Sequence, residues 1–123
     1  MAKIERFEDV NSWQAGRELC RMVYHITNLG KFSRDFGLRD QMRRAAVSII
    51  SNIAEGFESQ SDQTFIRYLY IAKASSGEVR AQAYVALDQG YISQKEFDAL
   101  YALATETSRL TAGFIEYLKK SAS

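Results

Sequence analysis

One stretch decides the fold of this chain: residues 41–56 read QMRRAAVSIISNIAEG. At the helical period of 3.6 residues, its apolar side chains and those just beside it fall on one face. That face comprises Leu38, Met42, Ala45, Ala46, Ile49, Ile53 and Phe57. Further apolar residues widen it sideways, namely Val47, Ile50 and Ala54. A surface helix needs an apolar stripe of only about 100°. The sequence therefore predicts that this helix contacts a second partner, with these last three residues as the candidate subunit interface.

The opposite flank of the same helix is polar and regularly spaced. Its residues recur three or four positions apart, so that their side chains can contact one another. The candidate polar seam consists of Arg44, Ser48, Asn52 and Glu55, with Gln41 at its start. Two interpretations stay open. The seam is either a solvated or hydrogen-bonded boundary between helices or subunits, or it contacts a ligand or nucleic acid.

Three arginines near the start of this helix are candidate nucleic-acid contacts: Arg39, Arg43 and Arg44. Arginine side chains bind phosphate groups, and aromatic side chains such as Tyr68 or Tyr70 can stack on bases. Carboxylates close in sequence are expected to weaken the positive field of this cluster, namely Asp35, Asp40 and Glu55.

The composition is that of one globular domain spanning residues 1–123. Hydrophobic residues make up 46% and charged residues 25%, and 16 Lys and Arg against 15 Asp and Glu leave a net charge of +1. That balance lacks the overall positive charge typical of nucleic-acid binding domains. The first residues lack the apolar core of a secretion signal, and no apolar run approaches the roughly 18 residues of a membrane span. We expect a cytoplasmic protein without membrane contact.

Helical periodicity and capping signals predict four helices. The first is capped by Asp9 or Asn11 and ends at Asn28-Leu29-Gly30, and the second runs from about Leu38 to Glu58. In the connection between them, Phe32 and Phe36 are expected to cover the end of the core.

The third helix begins at Ser61 or Asp62 and ends near Gln89-Gly90. The fourth begins at a capping box formed by Ser93 and Glu96. No segment alternates as a half-buried strand does. The fold class predicted is all-α, an up-down-up-down antiparallel four-helix bundle.

The chain carries no recognisable catalytic, cofactor-binding or metal-binding motif. A di-iron bundle needs Glu-x-x-His on two helices, whereas His25 is the single histidine and has no glutamate three residues before it. There is no glycine-rich phosphate loop. Cys20, the single cysteine, is expected to be buried and inert. The sequence therefore predicts a protein that is not an enzyme and has no cofactor.

The chain resembles the bacterial four-helix-bundle family encoded in intervening sequences of 23S ribosomal RNA genes. The likeness is strongest over residues 41–56 and covers most of residues 7–118. It is also carried by Trp13-Gln14-Ala15, Phe36-Gly37-Leu38, Ile71-Ala72-Lys73 and Gly90-Tyr91-Ile92. The resemblance implies a homopentameric ring and no established catalytic activity. A related group, the accessory proteins of diversity-generating retroelements, forms similar pentamers and binds nucleic acid through a basic surface.

Two hypotheses about function follow. The leading one is a non-enzymatic bundle that self-assembles through the widened apolar face of the second helix, so that Ile50→Glu is expected to dissociate the oligomer. The alternative is an accessory protein that binds ribosomal RNA, in which an oligomer multiplies a weak arginine patch into useful avidity.

Overall fold

The computed structural model describes residues 4–122. It contains four helices: α1 Asn11–Thr27, α2 Phe36–Glu58, α3 Asp62–Asp88 and α4 Gln94–Ala122. Short 3₁₀ turns at Phe7–Asp9 and Gly30–Arg34 precede α1 and α2. Each helix packs against the next, and α4 packs against α1. Short connections make successive helices antiparallel. The predicted all-α four-helix bundle is confirmed, and no strand occurs between residues 4 and 122.

All four helices contribute fully buried side chains to one core. The core face predicted for α2 is confirmed, since Met42, Ala46, Ile49 and Ile53 are completely buried. In α4 the core includes two polar residues, Thr107 and Thr111. Their hydroxyls donate to the carbonyl oxygens four residues earlier, at 2.8 and 2.7 Å. Because these hydroxyls are satisfied within their own helix, they can be buried without an unpaired polar group.

The predicted caps of the last two helices are confirmed. Ser61 Oγ accepts the Thr64 N–H at 3.3 Å. At the start of α4, the Ser93 N–H donates to Glu96 Oε1 at 2.7 Å and the Glu96 N–H donates to Ser93 Oγ at 3.1 Å. This reciprocal pair is the capping box that the sequence indicated.

The predicted cap of α1 is wrong. Val10 occupies the N-cap position, and no side chain caps the helix. The reason is tertiary, because Val10 is completely buried and so fixes the start of the helix against the core. The preceding 3₁₀ turn leads directly into it, with the Val10 N–H donating to the Phe7 carbonyl at 3.0 Å.

Helix α2 begins at Phe36, two residues earlier than predicted, because Asp35 caps it. Asp35 Oδ1 accepts the Leu38 N–H at 3.1 Å. Phe32 is buried over the end of the core, as predicted. Phe36 is 61% exposed, so the prediction is wrong for this residue. The ring of Phe36 lies instead beneath the Arg39 guanidinium, 4.7 Å away.

The same carboxylate ties the start of α2 to the α3–α4 connection. Asp35 Oδ2 accepts a hydrogen bond from the Tyr91 hydroxyl at 2.9 Å. That hydrogen bond, followed by burial and the negative charge of Asp35, raises the pKa of Tyr91 above its ordinary value. A raised pKa in the folded state means that the stabilising contribution is complete below about pH 10 and is lost as the pH rises through the folded pKa.

We therefore expect Tyr91→Phe to lower the free energy of unfolding at pH 7 and to reduce its decline above pH 10. Urea denaturation at both pH values measures the two effects. Tyr84→Phe is the control, because it removes a hydroxyl from a residue that is 51% exposed. Equal stability of Tyr91→Phe and the unmodified protein at pH 7 would contradict a stabilising role for this hydrogen bond.

Candidate subunit interface and arginine cluster

The three interface candidates on α2 share one side of the helix but differ in burial. Val47 is 37% exposed, whereas Ile50 and Ala54 are half-buried. A Cβ atom at Gly16 of α1 would lie only 3.1 Å from Ile50 Cγ2 and 2.9 Å from Ile49 Cγ2. Ile50 therefore contributes to the packing of α1 against α2, while the helical period places Val47 and Ala54 further out on the same side.

Helix α1 adds apolar and aromatic side chains next to them. Trp13, Cys20 and Tyr24 recur at helical spacings on the side of α1 that carries Gly16. Tyr24 is 45% exposed, and the other two are half-buried. We call the combined surface the α1–α2 outer face. It consists of Val47, Ile50, Ala54, Trp13, Cys20 and Tyr24.

Cys20 is half-buried rather than fully buried as expected. Burial raises the pKa of its thiol. A raised pKa lowers the fraction of thiolate, which is the reactive form. In this environment Cys20 acts as a small apolar residue of the face.

Two of the three candidate nucleic-acid contacts are engaged within the chain itself. Arg43 Nε donates to Thr27 Oγ1 at 2.9 Å, and its guanidinium lies 4.7 Å from the centre of the Tyr24 ring. Arg39 Nε donates to Asp40 at 2.9 Å, and Arg39 Nη1 donates to the Ser33 carbonyl at 3.0 Å. Arg44 is exposed and makes no hydrogen bond with any residue of the described chain.

A carboxylate lies among the three arginines. The hydrogen bond from Arg39, together with the positive charges of Arg39, Arg44 and Arg43, holds the pKa of Asp40 below its ordinary value. Asp40 is therefore ionised at neutral pH and offsets part of the positive field. Because Arg39 and Arg43 are already engaged, Arg44 alone of the three retains all of its donors for a phosphate group.

The candidate polar seam lies between α2 and α3. The hydroxyls of Ser48 and Ser75 are 3.0 Å apart, and Asn52 Nδ2 donates to both the Ser48 carbonyl at 2.7 Å and the Ser48 hydroxyl at 2.9 Å. Further along, the Tyr68 hydroxyl donates to Glu55 Oε1 at 3.3 Å. The geometry favours the interpretation as a hydrogen-bonded boundary between helices, with Arg44 at its end.

A second apolar surface, which the sequence reasoning missed, runs along the outside of α3. Ile71 is 44% exposed and Val85 is 46% exposed, with two exposed alanines between them. We call this surface the α3 outer stripe and define it as Ile71, Ala74, Ala81 and Val85. Its signal was present in the sequence, because these residues share a heptad-like face offset by one position from the buried repeat of Ala72, Val79 and Ala86. The exposed Glu78 lies in the middle of that face, between Ala74 and Ala81, so the stripe consists of two apolar segments on either side of one carboxylate.

The described residues hold neither a cluster of metal-ligating side chains nor a membrane-spanning helix. Between residues 4 and 122, no group of three or more His, Cys, Asp or Glu side chains could hold a metal ion. None of the four helices, as far as they are described, is long and apolar enough to cross a membrane.

Comparison with known proteins identifies the family to which the chain belongs. No curated protein matches it. A crystal structure matches it with a TM-score of 0.77 and 24% sequence identity, covering 85% of this chain and 95% of that one. That structure is of a protein of unknown function from the S23 ribosomal protein family of Bacteroides thetaiotaomicron VPI-5482, and the likeness shows the fold alone. The family described as 23S rRNA-intervening sequence protein matches residues 8–113, which include α1, α2, α3 and most of α4. The resemblance predicted from the sequence is thereby confirmed, and the chain belongs to the family of 23S rRNA-intervening sequence proteins.

Proposed function

We propose that this chain is a non-catalytic subunit that self-assembles through its α1–α2 outer face. The observation that carries the proposal is the exposure of apolar side chains beyond the core, with Val47 37% exposed and Tyr24 45% exposed on the same face. Single exposed apolar residues are ordinary, but a contiguous group of them marks an interaction site. The assembly that the family resemblance implies is a homopentameric ring.

A closed ring of five subunits requires two different surfaces on each subunit, because every contact joins one surface to a different one on the neighbour. The α3 outer stripe supplies the second surface. It lies on a helix that contributes nothing to the α1–α2 outer face, so one subunit can use both surfaces at once. We infer that the α1–α2 outer face of one subunit packs on the α3 outer stripe of the next.

The mass in solution, measured by light scattering over a range of protein concentrations, tests this proposal. A mass near five subunits supports the ring. A mass near one subunit, 14.0 kDa, at all concentrations contradicts self-assembly. A stable dimer would contradict the ring while supporting a contact between two copies of one face.

The alternative, binding of ribosomal RNA, stays a prediction with one observation in its favour, the exposed side chain of Arg44, which bonds to no residue between 4 and 122. A ring would repeat that side chain around its circumference and raise avidity. Repeating the light scattering with total RNA across a salt series tests it. Association that weakens steeply with salt and is lost in Arg44→Gln would favour RNA binding over a purely structural role.

A further inference from the structure

A cavity of about 660 Å³ lies at the end of the bundle, where the α2–α3 turn meets the last turns of α4. Its walls include a row of four aromatic rings: Phe57, Phe65, Phe114 and Tyr117. Successive ring centres are 5.9, 5.3 and 5.8 Å apart. Ile4 and Leu118 add apolar surface. The walls are about equally apolar and polar, and a cavity of this volume is of the size that binds small molecules.

The charged side chains that line the cavity are all acidic. It includes the carboxylates of Glu5 and Asp62 and no Lys, Arg or His side chain. Both acidic residues are exposed, and neither forms an ion pair with another residue in the described part of the chain. Gln60, Ser61 and Ser121 contribute further oxygen atoms that can accept hydrogen bonds. Among the described residues, the lining therefore carries negative charge and no cation. Arg109 lines the adjoining cavity, which shares Phe114 and Tyr117, but its guanidinium is paired there with Glu106 at 2.6 Å.

Elsewhere on the bundle, aromatic rings are paired with cations of the chain itself. Five rings have a guanidinium or ammonium group 4.7–5.9 Å from their centres. Their pairs are Arg17 on Trp13, Arg39 on Phe36, Arg43 on Tyr24, Arg80 on Tyr101 and Lys119 on Tyr70. Aromatic faces attract cations through their quadrupole. The row in the cavity combines aromatic rings with carboxylates, but its own described lining supplies no cation.

We infer that this cavity binds a small organic cation of the alkylammonium class. The charged group lies against the faces of Phe114 and Tyr117, within reach of the field of Glu5 and Asp62, and its apolar substituents contact the remaining rings. An anionic ligand would be repelled by the two carboxylates, and a neutral one would gain no Coulombic attraction from them. The inference does not depend on self-assembly, so either proposal can fail without the other.

Choline and its neutral isostere 3,3-dimethyl-1-butanol are the probes, titrated into the full-length protein and followed by calorimetry and by the NMR shifts of the aromatic ring protons. We expect choline to bind at least about tenfold more tightly than the isostere. Phe114→Leu keeps an apolar side chain but removes one ring, and it is expected to weaken choline binding about tenfold. Tyr84→Leu, in the aromatic cluster with Phe97 and Tyr101, is the matched control and should leave binding unchanged.

A second variant keeps the inference testable if Phe114→Leu fails to fold. Glu5→Gln changes one exposed charge, and we expect it to weaken choline binding about threefold while leaving the isostere unaffected. Equal affinity for choline and the isostere would overturn the inference, because the cavity would then be merely apolar. The absence of choline-dependent shifts up to about 10 mM in the folded, unmodified protein would overturn it as well.

Discussion

Gly56→Ala is expected to lower the free energy of unfolding by about 2–3 kcal/mol, although alanine is the better helix former. Of the glycines, Gly56 is the one at which an added Cβ atom would come closest to a neighbouring helix, here α3. A Cβ atom there would lie 2.8 Å from Phe65 Cδ1, 2.8 Å from Tyr68 Cβ and 3.3 Å from Phe65 Cα. Phe65 is only 6% exposed, so its ring has little room to move, and the other two atoms belong to or adjoin the α3 backbone. The helices must therefore separate locally, which disturbs the packing around them.

The expected stability changes at two other glycines can be compared with that at Gly56. Gly113 of α4 is exposed, and a Cβ atom there meets nothing within 4 Å, so Gly113→Ala should stabilise the protein by about 0.5–1 kcal/mol. Gly16→Ala should fall between the two, because its Cβ atom meets the Cγ2 methyl groups of Ile49 and Ile50 rather than backbone. Urea denaturation at one fixed protein concentration measures the series, since self-association would couple stability to concentration. If Gly56→Ala were as stable as Gly113→Ala, the close approach of α2 and α3 would be wrong.

The sequence predicted those parts of the fold that depend on local patterns. The helical period of residues 41–56 identified the buried face of α2, and the spacing of Ser93 and Glu96 identified a capping box, because both signals involve residues within one or two turns of each other. The start of α1 was predicted wrongly because burial of Val10 against the rest of the bundle decides it. A search for polar caps cannot detect such a tertiary effect.

The difference between local signals and tertiary contacts also explains which parts of the candidate surfaces were predicted. Periodicity could place Val47, Ile50 and Ala54 on one side of α2, but it could not indicate that Ile50 lies against Gly16 of another helix. Nor could it indicate that Arg43 is held by Thr27, since that contact joins two helices. The α3 outer stripe was within reach of sequence reasoning. It was missed because the buried repeat beside it accounted for the helix on its own.

The packing of Ile50 changes which substitution best tests assembly. Ile50→Glu would place a charge against α1 and so would disturb folding as well as any contact between subunits. Val47→Glu introduces the same charge at a more exposed position, where an isolated subunit can keep it in water. We expect Val47→Glu to remain helical by circular dichroism and to weaken self-association more than about a hundredfold, because assembly would bury an unpaired carboxylate. Ala102→Glu, at an exposed position of α4 outside both surfaces, is the matched control and should assemble normally.

A mixing experiment then separates a ring from a symmetric dimer. Ile71→Glu blocks the α3 outer stripe and leaves the α1–α2 outer face intact, whereas Val47→Glu does the reverse. If each contact joins the two different surfaces, each variant alone stays monomeric, but an equimolar mixture retains one productive pairing and stops at two subunits. If the α1–α2 outer face instead pairs with its own copy, Ile71→Glu dimerises alone and Val47→Glu gains nothing from mixing. Light scattering of the two variants and their mixture distinguishes these outcomes, and monomers in all three samples would contradict the proposed pairing of α1–α2 outer face and α3 outer stripe.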